Sequence, residues 1–356
     1  MPIRFGLIGY GFAARTFHLP LIQATPGLEV TIVSTSRADE VAQALPGVMA
    51  VKEPTEILRS DAVDAVVVAT PHDSHASWAT AALQAGKHVV VEKPFALAVG
   101  EARALTAMAA ARGRLLSAFH NRRWDSDFLS VASAIRAGRI GRPIHFESHF
   151  DRYRPQVRQR WREQPGPAGG IWYDLAPHLI DQALQLFGLP SAVEANIATL
   201  RTGASAPDWA HAVLSYPAHR VIIHASMVAA GGSPRFTIHG DQGSLIKKSL
   251  DRQEAQLSAG MVPGAKGWGE DSDPLQIWNS DGRWEELPAL AGDQRHFYRG
   301  VLSAIRDGGA NPVPGDEASA VVAVIEAGLR SAERGQSETA SFSDAEHAAF
   351  SRLSTV

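Results

Sequence analysis

The sequence predicts an α/β protein in two parts: an N-terminal, doubly wound parallel sheet and a C-terminal α+β domain with a mostly antiparallel sheet. Three observations lead there. Short apolar strands alternate with helical segments through the first third of the chain, the pattern of a parallel sheet with crossover helices. A glycine-rich turn stands directly between the first strand and the first helix. After Asn121 the rhythm changes to consecutive strands with turn-length gaps, which implies an antiparallel or mixed sheet. A length of 356 residues exceeds one ordinary core, and the change of rhythm divides it into domains at 1–122 and 123–356.

The elements follow in order. Ile3–Ile8 is the first strand and Leu28–Val33 the second. Ala65–Thr70 is nearly all apolar, as a strand buried on both faces must be. Trp78–Ala85 is a helix ended by Gly86. His88–Glu92 and Leu115–His120 are further strands around an alanine-rich helix, Val99–Arg112. In the second part a helix over Ser126–Ala137 leads to an extended stretch, Ile144–Asp151. The Pro/Gly-rich loop 165–170 then precedes an apolar-periodic helix, Ile171–Phe187. Strands are expected at Ala192–Leu200, His211–Tyr216, Arg220–Val228, Arg235–His239 and Ser244–Lys247, a mobile loop at Ser258–Pro274, and late helices at Gln294–Arg306 and Asp316–Arg334.

Composition narrows the chemistry. Hydrophobic residues make up 45% and charged residues 20%, as in globular proteins. A formal net charge of -3 gives no general attraction to nucleic acid or to anionic membranes. Without cysteine, disulfides, Cys-ligated zinc, iron–sulfur clusters and thiol catalysis are excluded. The chain opens in strand-forming residues without a leader pattern, and no apolar run reaches about 18 residues. A cytoplasmic protein with neither nucleic-acid nor membrane partners is the expectation.

The turn Gly9-Tyr10-Gly11-Phe12-Ala13-Ala14 has the G-x-G-x-x-A form. Gly9 allows the tight turn, Gly11 lets the backbone approach a pyrophosphate, and Ala14 lets the helix pack on the strand while its N-terminus faces the anion. NAD sites place a carboxylate about 20 residues further on. Here the second strand ends in Ser34-Thr35-Ser36-Arg37. Hydroxyls and a guanidinium suit a 2′-phosphate, so NADP is expected over NAD. Thr70-Pro71 with His75, and Glu92-Lys93-Pro94, follow the third and fourth strands at the sheet's carboxyl edge. A lysine there can hydrogen-bond a substrate hydroxyl and ease its deprotonation.

Asp174 and His178 are four residues apart on one helix and share a face. A histidine, with an ordinary pKa near ~6.5, takes a proton from an alcohol and returns it, while the aspartate orients the imidazole or stabilises its cation. Pro177 inside this helix would kink it. His145, Glu147, His149 and Asp151 alternate and would face one side of a strand; a polar or interfacial sheet face is expected there, and no metal. His18 reads as a packed histidine.

The order and spacing of the Gly9–Ala14 turn, Glu92-Lys93-Pro94 and Gly169-Gly170-Ile171-Trp172-Tyr173-Asp174-Leu175-Ala176-Pro177-His178 resemble the glucose–fructose oxidoreductase/inositol dehydrogenase (Gfo/Idh/MocA) family over essentially the whole chain. The stretches His120–Asp125, Phe150–Pro155 and Trp161–Glu163 are similar to the branch of NADP-dependent scyllo-inositol dehydrogenases. The resemblance implies a Rossmann domain and a second domain with a large open sheet whose exposed face forms homodimer or homotetramer contacts. It implies Lys93, Asp174 and His178 as the catalytic set. It implies a cofactor-facing set of Gly9, Gly11, Ala14, Ser36, Arg37, Thr70, Pro71 and His75, to which Phe12, Ser34, Glu92, Lys93 and Asn121, in the same turn and at the same strand ends, are added as candidates. Arg122, Tyr153, Arg154 and Trp161 are the residue types that line sugar sites and are candidate substrate contacts. The expected activity is NADP-dependent oxidation of a secondary alcohol of a cyclitol, polyol or sugar. A sugar dehydrogenase or carbonyl reductase is the alternative, and a non-catalytic nucleotide-sensing regulator a remote one.

Overall fold

The computed structural model describes residues 1–166 and 168–351. Pro167, within the expected Pro/Gly-rich loop, lies outside the described residues. Two sheets organise the rest. In the first, β1 (Ile3–Ile8), β2 (Leu28–Ser34), β3 (Met49–Val51), β4 (Ala65–Val68), β5 (His88–Val91) and β6 (Leu116–Ala118) are all parallel. Their order is β3-β2-β1-β4-β5-β6, which reverses direction between β1 and β4. That reversal opens a crevice beyond the carboxyl ends of the strands. The central strands carry Val66, Val67, Val89, Val90 and Val91 with almost no exposure, as burial on both faces requires.

The second sheet comprises β7 (Pro143–Asp151), β8 (Ala192–Ala198), β9 (Trp209–Ser215), β10 (Arg220–Ser226), β11 (Phe236–Gly240), β12 (Gly243–Lys247), β13 (Leu275–Asn279) and β14 (Trp284–Leu287), in the order β14-β13-β12-β11-β7-β10-β9-β8. Every neighbouring pair is antiparallel except β7 with β10. Alternate residues are buried: Phe146, Ser148 and Phe150 on β7, Ala210, Ala212 and Leu214 on β9. The helix Ile171–Phe187 packs against β7, β9 and β10, and its residues Trp172, Leu175, Leu179, Ile180 and Leu184 are buried.

The compact units are not cut once along the chain. One contains Met1–Trp124 together with Gln253–Trp268 and Asp293–Ala318; the other contains Asp125–Arg252, Gly269–Gly292 and the remainder from Ser319. This differs from a single boundary after residue 122, and the cause is local. Asn121 Nδ2 donates to Gln294 Oε1 at 3.1 Å, Arg122 pairs with Glu254, and Arg123 pairs with Glu317 at 2.6 Å. Three consecutive residues thus hold the two returning segments. The expected mobile loop is fastened as well: Trp268 is buried and donates to Asp293 Oδ1 at 3.3 Å, and the buried Lys247 ammonium pairs with Asp271 and Asp273. β13 and β14 were not expected from sequence.

Candidate active site

In the first unit every expected cofactor residue beyond the glycine turn and its helix follows a parallel strand and so reaches the same carboxyl edge of the sheet. Gly9 has φ 98°, and a Cβ there would meet Ala69 O at 2.6 Å, so only glycine fits. At Gly11 an added Cβ would meet nothing within 4 Å, leaving the backbone open to a ligand. Ala14 is fully buried and Phe12 is exposed at the turn. The helix then widens into a π-type turn over Ala14–His18, next to Pro20, which has no N–H to donate. A tight glycine, an open glycine and a free helix start together fit a dinucleotide phosphate.

After β2, Ser34 is buried, Ser36 is exposed and Arg37 lies half-exposed. The Arg37 guanidinium hydrogen-bonds Tyr10 O and lies over the Tyr10 ring, 5.7 Å from its centroid. Arg15 lies 5.8 Å from the same centroid. Glu40 pairs with both arginines, at 3.1 and 3.6 Å. Sequence reasoning missed Tyr10 and Arg15 here. The available signal was an arginine four residues beyond the second glycine, one helical turn along.

After β5, the Lys93–Pro94 peptide is cis. The Glu92 carboxylate is buried; one oxygen accepts the Lys93 backbone N–H at 3.0 Å and the other lies 3.0 Å from His18 Nε2. His18 in turn bonds the Tyr298 hydroxyl, so the packed histidine expected from sequence is a member of this network. Burial pushes the Glu92 carboxyl up, but the His18 hydrogen bond and the charges of His18 and Lys93 outweigh it and hold the group well below the ordinary carboxylate range. His75 ties the next loop to this one. Its Nδ1 lies 2.8 Å from Pro94 O and its Nε2 3.0 Å from Thr70 O. Burial pulls its pKa down against those two bonds; a neutral ring donates to one of the two carbonyls and the protonated ring to both. His75 thus sits between the Thr70 and Pro94 carbonyls and ties one of the two loops through its single N–H when neutral. The Asn121 amide is likewise engaged with Gln294, and the buried Arg122 with Glu254.

In the second unit Gly170 starts the helix Ile171–Phe187 with φ 89°, and a Cβ would sit 2.8 Å from the ring of Pro207. Ile171 N donates to Pro207 O at 2.7 Å. Asp174 lies in the first turn and His178, buried, one turn further. Pro177 sits inside the helix, where it removes one backbone bond. Asp174 stands 3.9 Å from Arg152 and 3.5 Å from Arg162, partners that sequence reasoning did not assign. Arg162 also stacks on Trp161, 4.4 Å from its ring centroid. Burial and the neighbouring Arg152, Arg158 and Arg160 lower the Arg154 pKa. Tyr153 is exposed. This arginine-rich segment is anchored by the buried Arg201, which pairs with Asp208 at 2.9 Å and Glu163 at 3.0 Å and donates to Arg154 O at 2.8 Å.

The family model for the NAD-binding Rossmann fold of the GFO_IDH_MocA oxidoreductases matches residues 3–120, and the model for their C-terminal alpha/beta domain matches residues 132–340. The uncharacterized oxidoreductase YdgJ of Escherichia coli is 48% identical over 334 residues, 93% of this chain and 96% of that protein. The scyllo-inositol 2-dehydrogenase (NADP(+)) IolW of Bacillus subtilis is 38% identical over 336 residues, 93% of this chain and 94% of that protein. A crystal structure from Klebsiella pneumoniae superposes with a TM-score of 0.93 at 52% identity, covering 98% of this chain and 99% of that one.

Proposed function

The chain belongs to the GFO_IDH_MocA oxidoreductase family, and from that premise we propose that it is an NADP-dependent dehydrogenase acting on a secondary alcohol of a cyclitol or polyol, with scyllo-inositol the type of substrate. It is an oxidoreductase that works with a nicotinamide cofactor; the NADP preference and the substrate class are the proposal. The observation that carries it is the Glu92-Lys93-Pro94 corner. There a buried carboxylate takes the lysine's own backbone N–H while His75 holds the following carbonyl, fixing Lys93 at the edge where the cofactor binds. Similarity to a scyllo-inositol 2-dehydrogenase (NADP(+)) over 93% of the chain supports the substrate class.

The nicotinamide, when bound, supplies the acceptor for the hydride that leaves the carbinol carbon. Gly9, Gly11, Phe12 and Ala14 would hold the pyrophosphate. Ser34, Ser36 and Arg37 would hold the adenosine ribose and its 2′-phosphate. Thr70, Pro71 and Lys93 would face the nicotinamide, with His75, Glu92 and Asn121 bracing their loops. Lys93 donates a hydrogen bond to the substrate oxygen and stabilises its developing negative charge. His178 takes the hydroxyl proton and returns it in the reverse reaction. Asp174, its charge balanced by Arg152 and Arg162, tunes that proton transfer. Arg122, Tyr153, Arg154 and Trp161 are the proposed substrate contacts.

One observation favours a second reading. Arg152, Arg154, Arg158, Arg160 and Arg162 crowd one short segment, and two of them reach Asp174. Such a cluster suits an aldose or sugar acid bearing a carboxylate, oxidised or reduced by the same residues. The test of both is turnover of NADP and NAD against inositol isomers, aldoses and sugar acids, repeated with Lys93→Met and His178→Ala. We further propose that the exposed face of the second sheet joins copies of the chain into a homodimer or homotetramer.

A further inference from the structure

The reaction proposed above leaves one cluster unused, on the open face of the second sheet. Along β7, His145, Glu147, His149 and Asp151 alternate with the buried Phe146, Ser148 and Phe150. β10 runs parallel to β7 with His224 in register with His149, and the two imidazoles stand 5.2 Å apart between centroids. Asp151 reaches toward both rings. Its side chain is only 3% exposed, and neither carboxylate oxygen has a partner at full hydrogen-bond geometry, the groups facing it being the two imidazoles and the Ser233 side chain. A carboxylate taken out of water with only such long contacts is costly, and a cation between these groups would relieve that cost.

The distances state which kind. One Asp151 oxygen lies 3.7 Å from His149 Nδ1 and the other 3.5 Å from His224 Nε2. Both gaps are long for hydrogen bonds. They are close to the separation of two ligands on one ion, because bonds of about 2.0–2.1 Å at a tetrahedral angle set ligand atoms roughly 3.4 Å apart. One donor atom from each of His149, Asp151 and His224 lies within 4.8 Å of the others. The outer contacts agree. His149 Nε2 lies 3.0 Å from Glu147, whose other oxygen lies 2.8 Å from His145. Glu147 thereby turns His149 Nδ1 toward Asp151, as carboxylates behind metal-bound histidines do.

We propose that His149, Asp151 and His224 form a site for one divalent first-row transition ion of the zinc type, with water completing the coordination. Two imidazoles and a carboxylate are the donors such ions take in preference to calcium or magnesium. The ion pins β7 to β10 on the sheet face. No metal was expected there from sequence, on the missing cysteines and the strand-face geometry; strand register is what brings in His224.

The test uses untagged full-length protein stripped with EDTA. It is titrated with Zn²⁺ by calorimetry and with Co²⁺ by visible absorption. One equivalent per chain at micromolar affinity or tighter is expected, with cobalt ligand-field bands of tetrahedral strength. His224→Ala and Asp151→Asn should each weaken binding by at least about tenfold, and Glu147→Gln by about tenfold at unchanged stoichiometry. His239→Ala, on the same face, should bind as the wild type does. Binding below a tenth of an equivalent would overturn the site, as would undiminished affinity in folded His224→Ala and Asp151→Asn. Should those variants fail to fold, the wild-type cobalt spectrum decides: octahedral-strength bands or none contradict the proposal.

Discussion

The proposed NADP preference depends on one side chain, Arg37. Its guanidinium rests on Tyr10 beside that of Arg15, and Glu40 pairs with both. Exposed pairs of this kind contribute about 0–1 kcal/mol, so a 2′-phosphate, which accepts stronger charge-assisted bonds, displaces Glu40 readily. Arg37→Ala is expected to weaken NADP binding about 10- to 100-fold while changing NAD binding by less than about threefold, given charged hydrogen bonds of about 1.5–3 kcal/mol. Glu40→Gln should strengthen NADP binding. Fluorescence titration with each cofactor checks both, and equal losses for NADP and NAD in Arg37→Ala would refute the assignment. At this scale the sequence was readable wherever chemistry is local. Gly9, Lys93 and His178 sit in short motifs whose neighbours already impose a turn, a strand end or a helix face. Arg15 had a local signal, one helical turn beyond Gly11, that was overlooked; His224 with Asp151 was not readable, because that pairing arrives from separate strands through register.

Among elements, β7 and the strands beside it depend on one buried cation. Arg235 is 2% exposed; it pairs with Asp127 at 3.1 Å, donates to Ser148 Oγ at 2.6 Å and to Gln182 Oε1, and lies 4.0 Å from the Phe236 ring centroid. Removing one member of such a pair leaves the other charge buried and uncompensated, at a cost of about 3–5 kcal/mol. Arg235→Met should therefore lower the unfolding free energy by that amount, whereas Arg235→Met with Asp127→Leu should recover much of it. Urea titration is the check, and a loss below about 1 kcal/mol in the single variant would show that the pair adds little. Strong periodicity made the helix Ile171–Phe187 and strand β1 legible to the residue. β14, Trp284–Leu287, is an exposed edge strand whose Glu285 and Glu286 break the apolar pattern, and β3 has three residues. Both owe their conformation to a neighbouring strand, which no local propensity records.

For the whole molecule, two domains and their fold classes were evident from the change of rhythm after Asn121, but the partition of the chain was not. Gln253–Trp268 and Asp293–Ala318 belong with the first unit because Asn121, Arg122 and Arg123 hold them there. No propensity or spacing announces a contact across 130 or more residues. The proposed assembly predicts a solution mass of two or four 38.1 kDa chains by light scattering, and a monomer at micromolar concentration would contradict it. Among the described residues no helix is long and apolar enough to cross a membrane. The central proposal is hydride transfer from an alcohol to the nicotinamide, with Lys93 stabilising the oxygen and His178 taking its proton. The direct measurement is the absorbance of reduced nicotinamide during incubation of the purified protein with NADP and a panel of inositol isomers, aldoses and sugar acids. The expected result is reduction of NADP with a cyclitol or polyol, falling by about 10²-fold or more in Lys93→Met and in His178→Ala while both variants still bind NADP. Turnover unchanged in both variants, or none with any alcohol of the panel despite tight cofactor binding, would contradict it.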